Sequence, residues 1–282
     1  MRWRTPLGTF EWPGPVILMG VINTTPDSFS DGGLHLDARR AIEAGLSMVE
    51  QGAQILDVGG ESSRPGAEPV SVEQELSRVI PVIEGLRAHT SVSISIDTCK
   101  AAVARQAVDA GADIINDITA LCDPEMASVA AESGAGLVLM HMRGNPQTMQ
   151  SGDLSADDIT ALAMNRLKAA MARAEGAGVS PEAICLDPGI GFGKTVPQNL
   201  QLITGLPRWA ELERPVLMGV SRKSFIGALT DQPVEARQWG TAAAVACCVS
   251  EGAHVVRVHD VAEMRDVVRI AKAIAETRTN AL

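Results

Sequence analysis

The chain has 282 residues, 46% of them hydrophobic, which is enough for one large α/β domain or two ordinary ones. Its 34 acidic residues outnumber 24 basic ones, for a net charge of −10. That balance argues against a broad nucleic-acid or anionic-membrane surface, and an anionic small molecule fits only where a few cations gather. Cys99, Cys122, Cys185, Cys247 and Cys248 form no C-x-x-C pair and no metal-ligand spacing, so they read as buried free thiols in a reducing compartment. The opening MRWRTPLGTFEWPG lacks an apolar signal core, and no run is long enough to span a bilayer. The expectation is a soluble cytoplasmic protein.

The first apolar run is VILMGVI (16–22), of strand length and rich in branched residues. A helix follows in DARRAIEAGLSMVEQ, with Asp37 as its N-cap, and then the run QILDVGG (54–60). SVEQELSRVI places Ser71 and Gln74 at capping-box spacing and leads to VSISIDT (92–98). After DIINDIT (113–119), DPEMASVAAES puts Pro124 one residue beyond Asp123, the preferred first helical position. GLVLMHM (136–142), ICLDPGI (184–190), PVLMGVS (215–221) and HVVRVHD (254–260) complete eight runs. A Gly-Ala pair precedes four of them, at Gly52, Gly111, Gly134 and Gly252, as a helix-ending glycine running straight into a strand. Eight alternations without a linker imply a single (β/α)8 TIM barrel, α/β in class, with 1–282 as one domain. An open doubly wound sheet is the alternative, disfavoured by the count of eight and the missing dinucleotide fingerprint.

Barrel chemistry sits at the C-terminal ends of the strands. The polar residues at those ends are Asn23, Asp57, Asp97, Asn116, Asp117, Asp187, Ser221, Arg222, Lys223, Arg257, His259 and Asp260. In VVRVHD the period of two sends Val256 and Val258 outward and Arg257 and His259 inward, and in SISID the serines share the inner face with Asp97. One such Asp alone is more simply a helix cap. Asp97, Asn116, Asp187 and Arg257 together imply one pocket, suited to a flat heterocycle with N–H groups and ring acceptors, on which Arg257 can stack. The cations Arg64, Lys223 and His259 add a site for an anionic tail, such as phosphate. Two long loops, 23–35 with Asn23, Asp27 and Phe29 and 60–69 with Ser63, Arg64 and Pro65, read as binding loops.

DPGIGFGKT (187–195) looks like a phosphate loop but is not one. Five positions before Gly193 stands Pro188 where a Walker A loop needs Gly, and G-x-G-x-x-G fails at Lys194. The working residues of this stretch are expected to be Asp187 and Phe192, with Lys194 outside the phosphate site.

MGVINTTPDSFSDGG, DVGGESSRPGA, SIDTCK, IINDI, VLMHMRGNPQTMQ, LDPGIGFGKT, MGVSRKSFIG and VRVHD, in this order, resemble the dihydropteroate synthase family over nearly the whole chain. The resemblance implies a pterin-binding barrel, usually a homodimer, that joins 4-aminobenzoate to (7,8-dihydropterin-6-yl)methyl diphosphate in folate biosynthesis and is the target of sulfonamides. Carried over by position, Asp97, Asn116, Met140, Asp187, Lys223 and Arg257 would hold the pterin. Ser63, Arg64, Arg257, His259 and Asn23 would hold the diphosphate, with Asn23 also a ligand to Mg²⁺. Phe29, Ser63, Pro65, Phe192, Ser221 and Lys223 would line the aminobenzoate site. Lys223, Asp97, Arg257 and His259 would be the catalytic set. Thr24 stands where the family commonly has Val, and Ser63 where Thr is commoner. A methyl-transfer pterin module and a non-catalytic pterin-binding paralogue are the rival readings. The intact SRPGA and SRK segments weigh against the first and the complete set of cations against the second.

Overall fold

The chain opens with a hairpin absent from the eight expected runs: β1 (Arg2–Thr5) pairs antiparallel with β2 (Gly8–Glu11). The computed structural model describes residues 1–24, 34–64 and 66–279, so the expected site residues Asp27, Phe29 and Pro65 lie outside the described residues. The eight apolar runs then become β3 (Ile17–Asn23), β4 (Ile55–Gly59), β5 (Ser93–Asp97), β6 (Ile114–Asp117), β7 (Gly136–Met140), β8 (Ile184–Asp187), β9 (Leu217–Met218) and β10 (Val255–Val258). All pair in parallel, in the order β8-β7-β6-β5-β4-β3-β10-β9. A parallel bridge between Leu186 and Val216, with Leu186 N–H donating to the Pro215 carbonyl at 2.9 Å, joins β8 to β9 and closes the (β/α)8 barrel. Closure removes the open doubly wound alternative. The β9 strand is the thinnest stave, two residues where seven were expected.

The helices are α1 (Leu34–Gln51), α2 (Val72–Arg87), α3 (Ala101–Asp109), α4 (Met126–Ser133), α5 (Ile159–Gly176), α6 (Val196–Thr204), α7 (Ser224–Thr230), α8 (Gln238–Ser250) and α9 (Val261–Thr279). The capping box at Ser71 and Gln74 is present. Two expected starts move. Asp37 lies within the first turn of α1 rather than capping it. The helix α4 begins at Met126, not Pro124; the Asp123 carboxylate accepts from Glu125 N–H at 3.0 Å just ahead of it and from Ala101 N–H, the first residue of α3, at 2.8 Å. The four helix-to-strand glycines take φ of +112°, +116°, +68° and +102° at Gly52, Gly111, Gly134 and Gly252, a region costly for any side chain with a Cβ.

Period two sorts the strands as expected. Leu18, Leu56, Val58, Ile94, Ile96, Val256 and Val258 pack outward with the helices in one large core. Inside the barrel's N-terminal half, Ile17, Met19, Ile55, Ile114, Val138, Cys185, Leu217 and Val255 surround Trp3 of the hairpin. Trp3 is 0% exposed and its indole N–H donates to the Ala183 carbonyl at 2.9 Å. The barrel floor is thus filled mostly with apolar side chains, with the small buried Ser93 and Ser95 of β5 beside Ile55 and Ile114, and the charged inward positions lie toward the opposite mouth. The cysteines are all free, but only Cys185 and Cys248 are buried; Cys122 and Cys247 are exposed and Cys99 is half-buried, contrary to the expectation of five buried thiols.

Candidate active site

Strand register assembles the mouth. Asn23 pairs with Gly59, Gly59 with Asp97, and Asp97 with Asn116, so residues far apart in sequence share one level; Met140 and Asp187 pair on β7 and β8. A cleft opens there, lined by eight of the expected residues: Ser63, Asp97, Asn116, Met140, Asp187, Phe192, Lys223 and Arg257. Ile118, Ile190 and Gly219 complete the lining and were not anticipated. Gly219 shares the inward phase of Leu217 and Ser221, and a Cβ there would meet nothing within 4 Å, so the missing side chain leaves room in the cleft. Ile118, Met140, Met149 and Phe192 pack together as an apolar wall. An apolar wall facing a few convergent polar groups suits a flat polar ring.

Arg257 sits between two carboxylates. Its Nε donates to Asp57 Oδ2 at 2.6 Å and its Nη2 to Asp97 Oδ2 at 2.8 Å. Burial alone would lower its pKa; Asp57 and Asp97 hold it above the ordinary guanidinium value. Asn116 Nδ2 also donates to Asp57 Oδ2, at 3.2 Å. Asp57 was seen at a strand end but not assigned to the site; its place in the inward phase of β4, two residues before Gly59, was the available signal. Asp117, outward on β6, is instead a turn organiser, accepting from Thr119 and Leu121 N–H.

Burial tunes the charges. Desolvation lifts Asp97 from 3.8 to about 7, opposed by Arg257 and aided by Asp57. Desolvation, helped by Arg257, lowers Lys223 from 10.5 to about 8. Asp187 is raised by burial, partly offset by the Gly189 N–H that its Oδ1 accepts at 2.6 Å. The Lys223 ammonium lies 4.0 Å from the centre of the Phe192 ring, a cation–π contact.

His259 departs from expectation. It was counted among the cations, but burial and then Arg257 push it down from 6.5 to about 4, so it is neutral at pH 7. Its Nδ1 lies 2.9 Å from Ser221 Oγ, which also accepts the His259 backbone N–H at 3.3 Å. The contact occupies Nδ1, and its direction depends on which ring nitrogen carries the proton. Ser221, expected to face aminobenzoate, has its hydroxyl committed to His259. Arg64 is exposed in the loop after β4, and Asn23 stands half-buried at the end of β3; neither lines the cleft. Thr24, buried, donates its hydroxyl to the Gly59 carbonyl at 3.1 Å, which satisfies the polar group that replaces a valine methyl.

The loop that resembled a phosphate site is braced from within. Lys194 is 3% exposed, and its ammonium donates to the carbonyls of His141, Gly189 and Phe192 at 2.9, 2.7 and 2.9 Å. All three donors are used, so no proton is left for a phosphate. Gly189 has φ +72°, and a Cβ there would stand 1.9 Å from the His141 carbonyl oxygen, so the turn beside Asp187 admits no side chain.

A metal site was expected at Asn23. Among the described residues no group of three or more His, Cys, Asp or Glu could hold a metal ion. One neutral amide oxygen at the mouth fits a hard divalent cation that arrives with phosphate oxygens and keeps its waters, rather than a resident ion in a carboxylate cage.

The family model for pterin binding enzymes matches residues 19–259. The chain is 48% identical to dihydropteroate synthase of Synechocystis sp. (strain ATCC 27184 / PCC 6803 / Kazusa) over 94% of its length and 92% of that protein's. Its fold superposes on that of Xanthomonas albilineans dihydropteroate synthase with 4-aminobenzoic acid at a TM-score of 0.87 and 44% identity, covering 94% of this chain and 95% of that one. The X. albilineans enzyme in complex with 7,8-dihydropteroate gives 0.84 at 42% identity, with the same coverage. With these likenesses spanning the barrel and its mouth, the chain belongs to the dihydropteroate synthases of the pterin binding enzyme family.

Proposed function

We propose that this chain, as one pterin-binding barrel domain, joins 4-aminobenzoate to (7,8-dihydropterin-6-yl)methyl diphosphate, forming 7,8-dihydropteroate and diphosphate in folate biosynthesis. The observation that carries the reading is the cleft itself: Asp97, Asn116, Asp187, Lys223 and Arg257 converge beside an apolar wall, in a chain akin to enzymes of that name. The carboxylates and the Asn116 amide would read the N–H edge of the pterin, Lys223 its ring acceptors, and Arg257 would lie against its face. Arg64, His259, Ser63 and Arg257 would take the diphosphate oxygens. His259 serves there as a neutral donor, not as a counter-charge.

In the reaction the C–O bond to diphosphate breaks, the C–N bond to the amine forms, and the amine loses one proton to solvent. Positive charge developing on the dihydropterin is favoured by Asp97 and Asp187, both within the low-dielectric cleft. Lys223 and Arg257 offset the negative charge of the leaving group. Asn23 would hold Mg²⁺, which supplies further charge neutralisation to diphosphate when bound. The arylamine is a weak base and reacts as the free amine, so the cleft needs no strong general base. Phe192, Lys223 and residues 29 and 65 of the long loops would complete the aminobenzoate side. The protein is proposed to work in the cytoplasm as a homodimer; among the described residues no helix is long and apolar enough to cross a membrane.

Because the second site draws on the loops and on the first ligand, binding should be ordered. Calorimetry should show 4-aminobenzoate binding at least tenfold more tightly once the dihydropterin site and a diphosphate are filled. Equal affinity for the empty protein would contradict that arrangement.

A further inference from the structure

Asp57 is a fully enclosed carboxylate of the barrel interior, 0% exposed, and it does not line the cleft. It nonetheless touches two residues that do. Its Oδ2 accepts from Arg257 Nε and from Asn116 Nδ2. An ionised carboxylate has no proton to give, so the Asn116 atom facing it must be the NH₂. That fixes the amide flip. The Asn116 Oδ1 is left as an acceptor, buried and, among the described residues, without a partner, on a residue that lines the cleft. The same contact fixes Arg257 by its Nε, at the root of the guanidinium rather than its tip.

The two ion pairs of Arg257 differ in kind. Asp97 lines the cleft, is 14% exposed, and takes Nη2; Asp57 lies behind the lining and takes Nε. A ligand that presents N–H groups to Asp97 competes with Nη2 for the same oxygen. It has no path to Asp57. Once Asp97 turns to the ligand, Arg257 would be a buried cation held by Asp57 alone. A guanidinium without that partner would move toward solvent or another carboxylate, and breaking a buried pair is costly.

We propose that Asp57 is a positioning residue for the pterin subsite: one buried carboxylate orients the Asn116 amide as an acceptor and anchors Arg257 by Nε, so that the ring meets a preset pattern of one acceptor and one flat cation. The proposal rests on the pterin reading of the cleft. It adds the residue that sets the polarity and plane of two of its contacts, without touching the ligand.

The test is Asp57→Asn, nearly isosteric but uncharged and able to face Arg257 or Asn116 with either end of its amide. The probe is 6-hydroxymethyl-7,8-dihydropterin, which has no diphosphate, titrated into wild type and variant by calorimetry, alongside steady-state kinetics. The dissociation constant for the probe and the KM for the pterin diphosphate should each rise at least tenfold, while the KM for 4-aminobenzoate stays within twofold. A merely structural role would lower the folded fraction and the apparent kcat and leave the KM of the surviving enzyme unchanged, which would overturn the proposal. If the variant does not fold, the wild type decides: in a structure with the probe bound, the Arg257 Nε to Asp57 contact should persist while the Nη2 to Asp97 contact opens. Release of Arg257 from Asp57 on binding would overturn it. Failure of the wild type to bind the probe would refute the pterin reading itself, whereas equal binding by wild type and variant would refute only the role of Asp57.

Discussion

Asp97 and Lys223 both line the cleft, with pKa values moved toward one another, to about 7 and about 8. Each must carry its charge to play the proposed part. Asp97 gains its charge as pH rises through about 7, and Lys223 loses its charge as pH rises through about 8. A plot of kcat/KM for the pterin diphosphate against pH should therefore be a narrow bell, falling ~tenfold per unit outside the limbs. The limbs belong to the interacting set, which includes Arg257 and Asp187, rather than to single residues. Lys223→Arg, charged at every pH, should flatten the basic limb; an unchanged limb would assign it elsewhere. Much at this scale was legible in the sequence because inward phase and strand-end position are one-dimensional properties. Asp97, Asn116, Asp187 and Arg257 declare themselves that way. The partnership of Asp57 with a residue on β10 does not, since it depends on barrel closure. Nor does the charge of His259, which follows from burial beside Arg257 and Arg222.

At the scale of elements, eight apolar runs and four glycine stops wrote the barrel plainly, because each buried parallel strand is a short block of branched residues. The hairpin of β1 and β2 left no such mark. Its strands have four residues each, and Arg2 and Arg4 flank the one large buried side chain of β1. Yet Trp3 fills the centre of the barrel floor, and the core cluster built around it draws on β3, β4, β6, β7, β8, β9 and β10. Trp3→Ala should cost ~3–5 kcal/mol in urea denaturation, through the cavity and the freed Ala183 carbonyl. A loss below ~1 kcal/mol would show that the hairpin is dispensable. The loop 187–195 carries a related lesson. Its glycines and lysine imitate a nucleotide motif, but the lysine is spent on three carbonyls of the loop's own surroundings. Sequence can exclude the Walker pattern; only the fold shows what the lysine does instead.

For the whole molecule, a net charge of −10 leaves an anionic substrate dependent on local cations, and Lys223 and Arg257 line the cleft beside Asp97 and Asp187. The proposed homodimer would be held by exposed apolar residues. Trp239 is 82% exposed on α8, with Leu229 of α7 and Val234 between the two helices also exposed, an apolar stretch on packed neighbouring elements. Light scattering should find a dimer for the wild type and a monomer for Trp239→Glu; a wild-type monomer at micromolar concentration would remove the dimer from the account. The cleft is proposed to build a C–N bond between a pterin and an arylamine. The direct measurement incubates the purified protein with (7,8-dihydropterin-6-yl)methyl diphosphate, Mg²⁺ and 4-aminobenzoate, and follows diphosphate and 7,8-dihydropteroate together. The two products should appear in equal amounts, and only when the amine is present. Diphosphate released without dihydropteroate, or no release at all, would contradict it.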